Sequence, residues 1–136
     1  MQGMISIYMT YVARGEPILV KGAMDRFRDF VYVTDVVDAF FRCGVDEQAT
    51  GKIYNIATGR KTYVREVLDG IINAFGYDPA SYPVVNGQPT RRDQFGIFGS
   101  AQKIRDELGW EPKVTLEQGL AEMAAWARRQ RAAGRF

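Results

Sequence analysis

Arg26-Phe27-Arg28-Asp29-Phe30-Val31-Tyr32-Val33-Thr34-Asp35-Val36-Val37-Asp38-Ala39-Phe40 is the stretch from which the fold is read. It passes from a charged approach through a short apolar run into a helix, with no residue to spare. Phe30, Val31, Tyr32 and Val33 are aromatic or β-branched, which suits a strand. Thr34 is the expected helix cap, and Asp35 falls in the first turn, where a negative charge suits the helix dipole. Arg28 stands just before the strand. A guanidinium at a sheet edge can hold a phosphate or carboxylate in a bidentate grip. It can equally pair with Asp29 at the surface or remain solvated.

Outward from this stretch, helices and strands alternate. Ile5, Met9 and Val12 have helical spacing between residues 4 and 14, and Gly15 is a stop. Pro17 to Gly22 reads as a short strand. A helix from Asp35 to about Val45 carries Val36, Val37, Phe40 and Phe41. Ile53-Tyr54-Asn55-Ile56-Ala57 reads as another strand. Thr62 is the expected cap of a helix whose face is Val64, Val67, Leu68, Ile71, Ile72 and Phe75. Tyr82-Pro83-Val84-Val85 is a weak strand, confined to an edge by its proline. Residues 86–93 form a charged loop and Gln94 to Phe98 a short apolar run. A small helix over residues 100–108 places Ile104 and Leu108 on one face. Thr115 and Gln118 form a capping box for a last helix, which carries Leu116, Leu120, Met123 and Ala127. Residues from Arg128 onward read as a frayed basic tail. The alternation predicts an α/β fold with parallel pairing. Residues 28–58 form a βαβ-like segment whose strands are apolar on consecutive positions, as expected of strands covered on both faces. Two such strands cannot bury both faces by themselves.

Composition narrows the chemistry. A chain of 136 residues supports one domain with one core. With a net charge of +2, no histidine and one cysteine, nucleic-acid binding, a zinc site and a Ser-His or Cys-His nucleophile are not expected. Cys43 is expected to be a small buried hydrophobe, and Trp110 and Trp126 to pack in the core or between helices. No apolar run approaches a membrane span. Met1-Gln2-Gly3 lacks the basic start and apolar core of a signal peptide, so a cytoplasmic location is expected.

Four segments in order resemble the C-terminal part of the extended short-chain dehydrogenase/reductase family, the NAD-dependent nucleotide-sugar epimerases and dehydratases. They are Gly15-Glu16-Pro17-Ile18 with Lys21-Gly22, then Arg28-Asp29-Phe30-Val31-Tyr32-Val33-Thr34-Asp35-Val36-Val37. After these come Gly51-Lys52-Ile53-Tyr54-Asn55-Ile56-Ala57-Thr58-Gly59 and the run from Leu108-Gly109-Trp110-Glu111-Pro112 to Leu120. The resemblance implies a substrate-binding region, residues 1–136, together with the last βαβ of a Rossmann-type sheet. It implies that the Gly-rich dinucleotide-binding half is absent. The family's G-x-x-G-x-x-G loop has no counterpart here, and no tyrosine is followed four residues later by lysine. No catalytic, cofactor-binding or metal residue is therefore expected, and NAD or NADP belongs to the intact enzyme. There a hydride would pass from sugar to cofactor and back through a keto-sugar.

The resemblance further implies that Arg28 grips the diphosphate of a nucleotide-sugar and that Leu19, Val20 and Lys21 line its base. Asp93 would bind the ribose, with Arg91 and Arg92 beside it. Ser100 replaces an aspartate as helix cap. The implied partners are a nucleotide-sugar and the missing half. The alternative is an independent binding module that self-associates through exposed apolar faces and strand edges.

Overall fold

A computed structural model describes residues 3–88 and 94–135. In chain order its elements are α1 (Met4–Arg14), β1 (Ile18–Lys21), β2 (Phe27–Arg28), α2 (Val33–Val45), β3 (Thr62–Tyr63), α3 (Val64–Ala74), β4 (Val84–Gly87), α4 (Gln102–Leu108) and α5 (Leu116–Ala132). They pack as two compact units. The first comprises Met1–Arg26, Tyr63–Phe95 and Glu117–Phe136, and the second Phe27–Thr62 and Gly96–Leu116.

In the first unit the helical spacing of α1 turns Tyr8, Met9, Val12 and Ala13 inward. The face expected of α3 is buried at Val64, Val67, Leu68, Ile71 and Ile72. β1 alternates, with Ile18 and Val20 buried and Leu19 and Lys21 outward. It pairs in parallel with β4, from Ile18 opposite Val84 to Lys21 opposite Gly87. Pro83 stands just before β4, where its missing N–H disturbs no ladder, and its carbonyl accepts from the Ile18 amide at 3.0 Å. α5 buries Gly119, Leu120, Ala124 and Ala127. A Cβ at Gly70 of α3 would lie only 2.6 Å from Leu120 Cδ1, so glycine there admits the α5 side chain.

The basic tail is not frayed at its start, because α5 continues to Ala132. Arg128 Nη2 donates to the Ala74 carbonyl at 2.9 Å, and its guanidinium lies 5.0 Å from the Phe75 ring centre. Arg131 Nη1 donates to the Ala13 carbonyl. Both carbonyls lie in the last turn of a helix, where no intrahelical donor remains. Trp126 on α5 is 51% exposed.

The second unit is built on Trp110, fully buried with Ala39, Ala49, Ala101, Ile104 and Leu108. Val31, Cys43, Tyr54 and Ile56 close over this group, leaving Cys43 only half-buried. α2 begins one residue before the expected cap. Tyr32 holds the cap position with no side-chain bond, and Thr34 lies inside the first turn. Asp35 is more than a first-turn charge. It is 5% exposed, and its Oδ2 accepts from the Lys113 and Val114 amides, each at 3.0 Å. Thr62 likewise is not the cap of α3, because Tyr63 holds that position and Thr62 belongs to β3. α4 starts at Gln102, whose amide reaches the Ser100 hydroxyl at 3.3 Å.

The strands expected at 30–33 and 53–57 are corrected. Neither joins a ladder among the described residues, and Val33 already belongs to α2. Apolar, β-branched sequence makes a strand only where a neighbouring strand takes up its amides and carbonyls. The apolar side chains around them are left in solvent, with Ile53 86% and Phe40 73% exposed. Val33, Val37, Phe41 and Val45 are exposed as well. Among the described residues no helix is long and apolar enough to cross a membrane.

Candidate functional site

Arg28 is half-buried in β2, and the chain on both sides of it is fixed within the second unit. Before it, Phe27 bridges to Gly96 and meets Phe98 edge-on, ring centres 6.2 Å apart. A Cβ at Gly96 would fall 2.2 Å from the Phe27 ring, so only glycine lets the two segments approach this closely. Lys61 Nζ lies 5.1 Å from the Phe27 ring centre and 4.7 Å from that of Phe98. After it, the Asp29 carboxylate accepts four hydrogen bonds. Thr58 donates from its amide at 2.9 Å and from its hydroxyl, Gly59 from its amide at 3.0 Å and Gly99 from its amide at 3.2 Å. Burial alone would raise the Asp29 pKa. The Thr58 hydroxyl and the three amides outweigh it and hold the carboxyl below its ordinary range. The Arg28 side chain turns back so that Nη1 donates to the Phe27 carbonyl at 2.7 Å. A cation held on a fixed strand end is suited to an anionic, multidentate ligand.

An open cavity of about 250 Å³ lies in the same unit, lined by Phe30, Thr58, Arg60, Thr62 and Lys113 among others. Its charged side chains are cationic and its other polar side chains are threonine hydroxyls, an environment compatible with an anion. A larger open groove of about 630 Å³ belongs to the first unit. Asp25, Glu66, Asp69 and Glu117 line it with a single arginine, Arg65, so it repels phosphate.

The other residues expected at the site divide. Leu19 and Lys21 are exposed on β1, but Val20 is wholly buried in the core of the first unit and has no side-chain surface for a ligand. The turn after Lys21 is clasped by Arg26, which donates to the carbonyls of Lys21 and, at 2.9 Å, Ala23. Asp93, Arg91 and Arg92 lie outside the described residues. Sequence reasoning missed Asp29, Thr58 and Gly99 as a hydrogen-bonded group, although the Arg28-Asp29 and Thr58-Gly59 pairs were the available signal. Nothing in the sequence pointed to Lys61 over two rings.

A dinucleotide needs a strand followed by a Gly-rich turn and a helix N-terminus. Among the described residues β1 is followed by a turn into β2, and both α2 and α3 start directly after a tyrosine cap. These residues do not fit the cofactor. No group of three His, Cys, Asp or Glu among the described residues could hold a metal.

The segment that carries Arg28 lies within a longer stretch that matches a known family. A family model described as GDP-mannose 4,6 dehydratase matches residues 2–123. The chain belongs to that family, the NAD-dependent nucleotide-sugar epimerases and dehydratases of the extended short-chain dehydrogenase/reductases. It is 32% identical to a UDP-glucose 4-epimerase of Mycolicibacterium smegmatis, over 93% of this chain and 39% of that one. The crystal structure of a UDP-glucose 4-epimerase with UDP-glucose from Thermotoga maritima superposes with a TM-score of 0.79 at 33% identity, covering 94% of this chain and 40% of that one. A dTDP-glucose 4,6-dehydratase from Bacillus anthracis in complex with NAD gives a TM-score of 0.82 at 25% identity, covering 96% and 40%. The chain thus spans about two fifths of the length of the relatives it matches.

Proposed function

We propose that this chain is the nucleotide-sugar-binding part of an NAD- or NADP-dependent epimerase or dehydratase, with Arg28 gripping the diphosphate. The observation that carries the reading is Arg28 on the family segment, between Phe27 and Asp29, both immobilised by packing or hydrogen bonds. Leu19 and Lys21 are assigned to the base side of the ligand, and Asp93 with Arg91 and Arg92 to the ribose. The described residues supply no cradle for the dinucleotide, so the chain's own work is binding and orienting, and alone it is inactive in sugar chemistry. Hydride chemistry belongs to a dinucleotide-binding half, which would dock on the exposed apolar side chains of α2 and Ile53 and pair with residues 53–57. A cytoplasmic location fits this assignment.

The test is binding of UDP-, dTDP- and GDP-sugars to this chain joined to a dinucleotide-binding half of the same family. Arg28→Ala should weaken the nucleotide-sugar that binds by roughly 10- to 100-fold, the scale of a charge-assisted hydrogen-bonded pair. Unchanged affinity removes the phosphate role.

The exposure of Phe40, Phe41 and Ile53 favours a second reading, a module that self-associates through this face. Light scattering separates the two. A chain that is monomeric alone and pairs only with the dinucleotide-binding half supports the first, and a stable homo-oligomer indifferent to that half supports the second.

A further inference from the structure

We infer that Asp29 is a positioning residue for Arg28. In this view its carboxylate fixes the strand end from which the guanidinium reaches an anionic diphosphate. The inference rests on the proposed role of Arg28 and deepens it.

An acidic residue beside a phosphate-binding arginine is electrostatically costly. In water at such short range a negative charge repels an incoming anion and competes for the cation. The surroundings of Asp29 give that charge another use. A carboxylate offers about four acceptor positions, and four donors meet this one: the Thr58 amide and hydroxyl, the Gly59 amide and the Gly99 amide. These donors lie 29, 30 and 70 residues away in sequence. Asp29 therefore ties two remote loops to one strand end. The same hydrogen bonds stabilise the ionised form.

Phe27 is the counterpart on the other side, held by Gly96 and by its edge contact with Phe98. With residues 27 and 29 both fixed, the backbone of Arg28 has no freedom left for a ligand to remove. Rigidifying a binding group in advance raises affinity by lowering the ordering cost. Residue 29 is thus needed as a carboxylate, because only a group with four acceptor sites and no donor matches two loops that present donors only.

The inference makes a prediction opposite in sign to simple charge effects. Asp29→Asn removes a negative charge next to the anion, so electrostatics alone would tighten binding. Loss of positioning weakens it. The experiment titrates this chain with inorganic pyrophosphate and with UDP, following the Arg28 Nε–Hε resonance by NMR in the wild type, Asp29→Asn, Thr58→Val, Arg28→Ala and the Arg28→Ala/Asp29→Asn pair. Asp29→Asn should weaken both probes by roughly five- to tenfold and make the Arg28 side chain mobile without ligand, while adding nothing in the Arg28→Ala background. Thr58→Val alters no charge, and should weaken binding to a smaller degree and guards against a gross folding defect. Tighter or unchanged binding by Asp29→Asn, or wild-type Arg28 mobility in that variant, overturns the positioning role while leaving Arg28 as the contact. No response of the wild type to either probe, or equal binding by Arg28→Ala, overturns the diphosphate role of Arg28 and the inference with it.

Discussion

The indole Nε1 of Trp110 donates to the main-chain carbonyl of Asp35 at 3.0 Å. The same aspartate receives the next turn of chain with its carboxylate, through the amides of Lys113 and Val114. One residue at the start of α2 thus fixes both the largest core side chain and the segment leading to α5. Asp35→Ala leaves those two amides without their acceptor. The expected loss is about 2–3 kcal/mol, because an amide stripped of its partner costs more than a hydrogen bond contributes. Trp110→Phe keeps most of the volume and should cost about 1–2 kcal/mol more than a conservative apolar exchange, reflecting the lost donor. Urea denaturation with an unchanged slope measures both.

The Asp29 carboxyl makes stability depend on acid. Its folded pKa lies below the ordinary value of 3.8. A depressed carboxyl stabilises the fold fully above its unfolded pKa and loses that contribution as pH falls through the folded pKa. Acid denaturation should therefore steepen below pH 3.8. Asp29→Asn should flatten that limb and leave the neutral-to-alkaline limb unaltered. An acid limb identical to the wild type contradicts the hydrogen bonding described at this site.

At the other end of the pH scale, Tyr54 donates its hydroxyl to Glu107 Oε2 at 2.6 Å, and Lys52 reaches the same oxygen at 2.8 Å. Desolvation, then the Glu107 hydrogen bond and charge, push Tyr54 up to about 12. A raised phenol pKa stabilises the fold below its unfolded value of 10.0, and that contribution disappears as pH rises through the folded value. One tyrosinate should therefore appear late in an ultraviolet titration. Glu107→Gln should move it toward the ordinary range, and persistence of the late step would assign it elsewhere.

The Arg128 and Arg131 contacts predict that the end of α5 is structural. Arg128→Ala removes a hydrogen bond to Ala74 and a cation–ring contact with Phe75. Both are solvent-facing, so the expected cost is about 0.5–1.5 kcal/mol. Amide hydrogen exchange should rise in the last turn of α3 for this variant, and in the last turn of α1 for Arg131→Ala.

What could be read from the sequence was mainly what is local. The boundaries of α1, the buried face of α3 and the Ile104–Leu108 face of α4 follow from spacing over one or two turns, and they are found as expected. The segments at 30–33 and 53–57 carry equally strong apolar patterns, yet a strand is a property of two chains of backbone, and the described residues provide no neighbour. Asp35 and Asp29 were visible as charges but not as hubs, because their donors lie 29 to 79 residues away. Val20 was expected to line the base of a ligand, but it faces the core. The alternation of a strand buries every second residue, and in β1 that residue is Val20. Arg128 and Arg131 read as a tail because the carbonyls they satisfy belong to helices far upstream.

The order of the two units along the chain has a kinetic consequence. The second unit is complete once Leu116 has been made, but the first draws on both ends of the chain. Arg131 meets Ala13 across 118 residues of sequence. Such long loops close slowly. During synthesis α1 can pack on β1 and α3 once these have emerged, but the clasp of Arg131 on its last turn waits until α5 has left the ribosome.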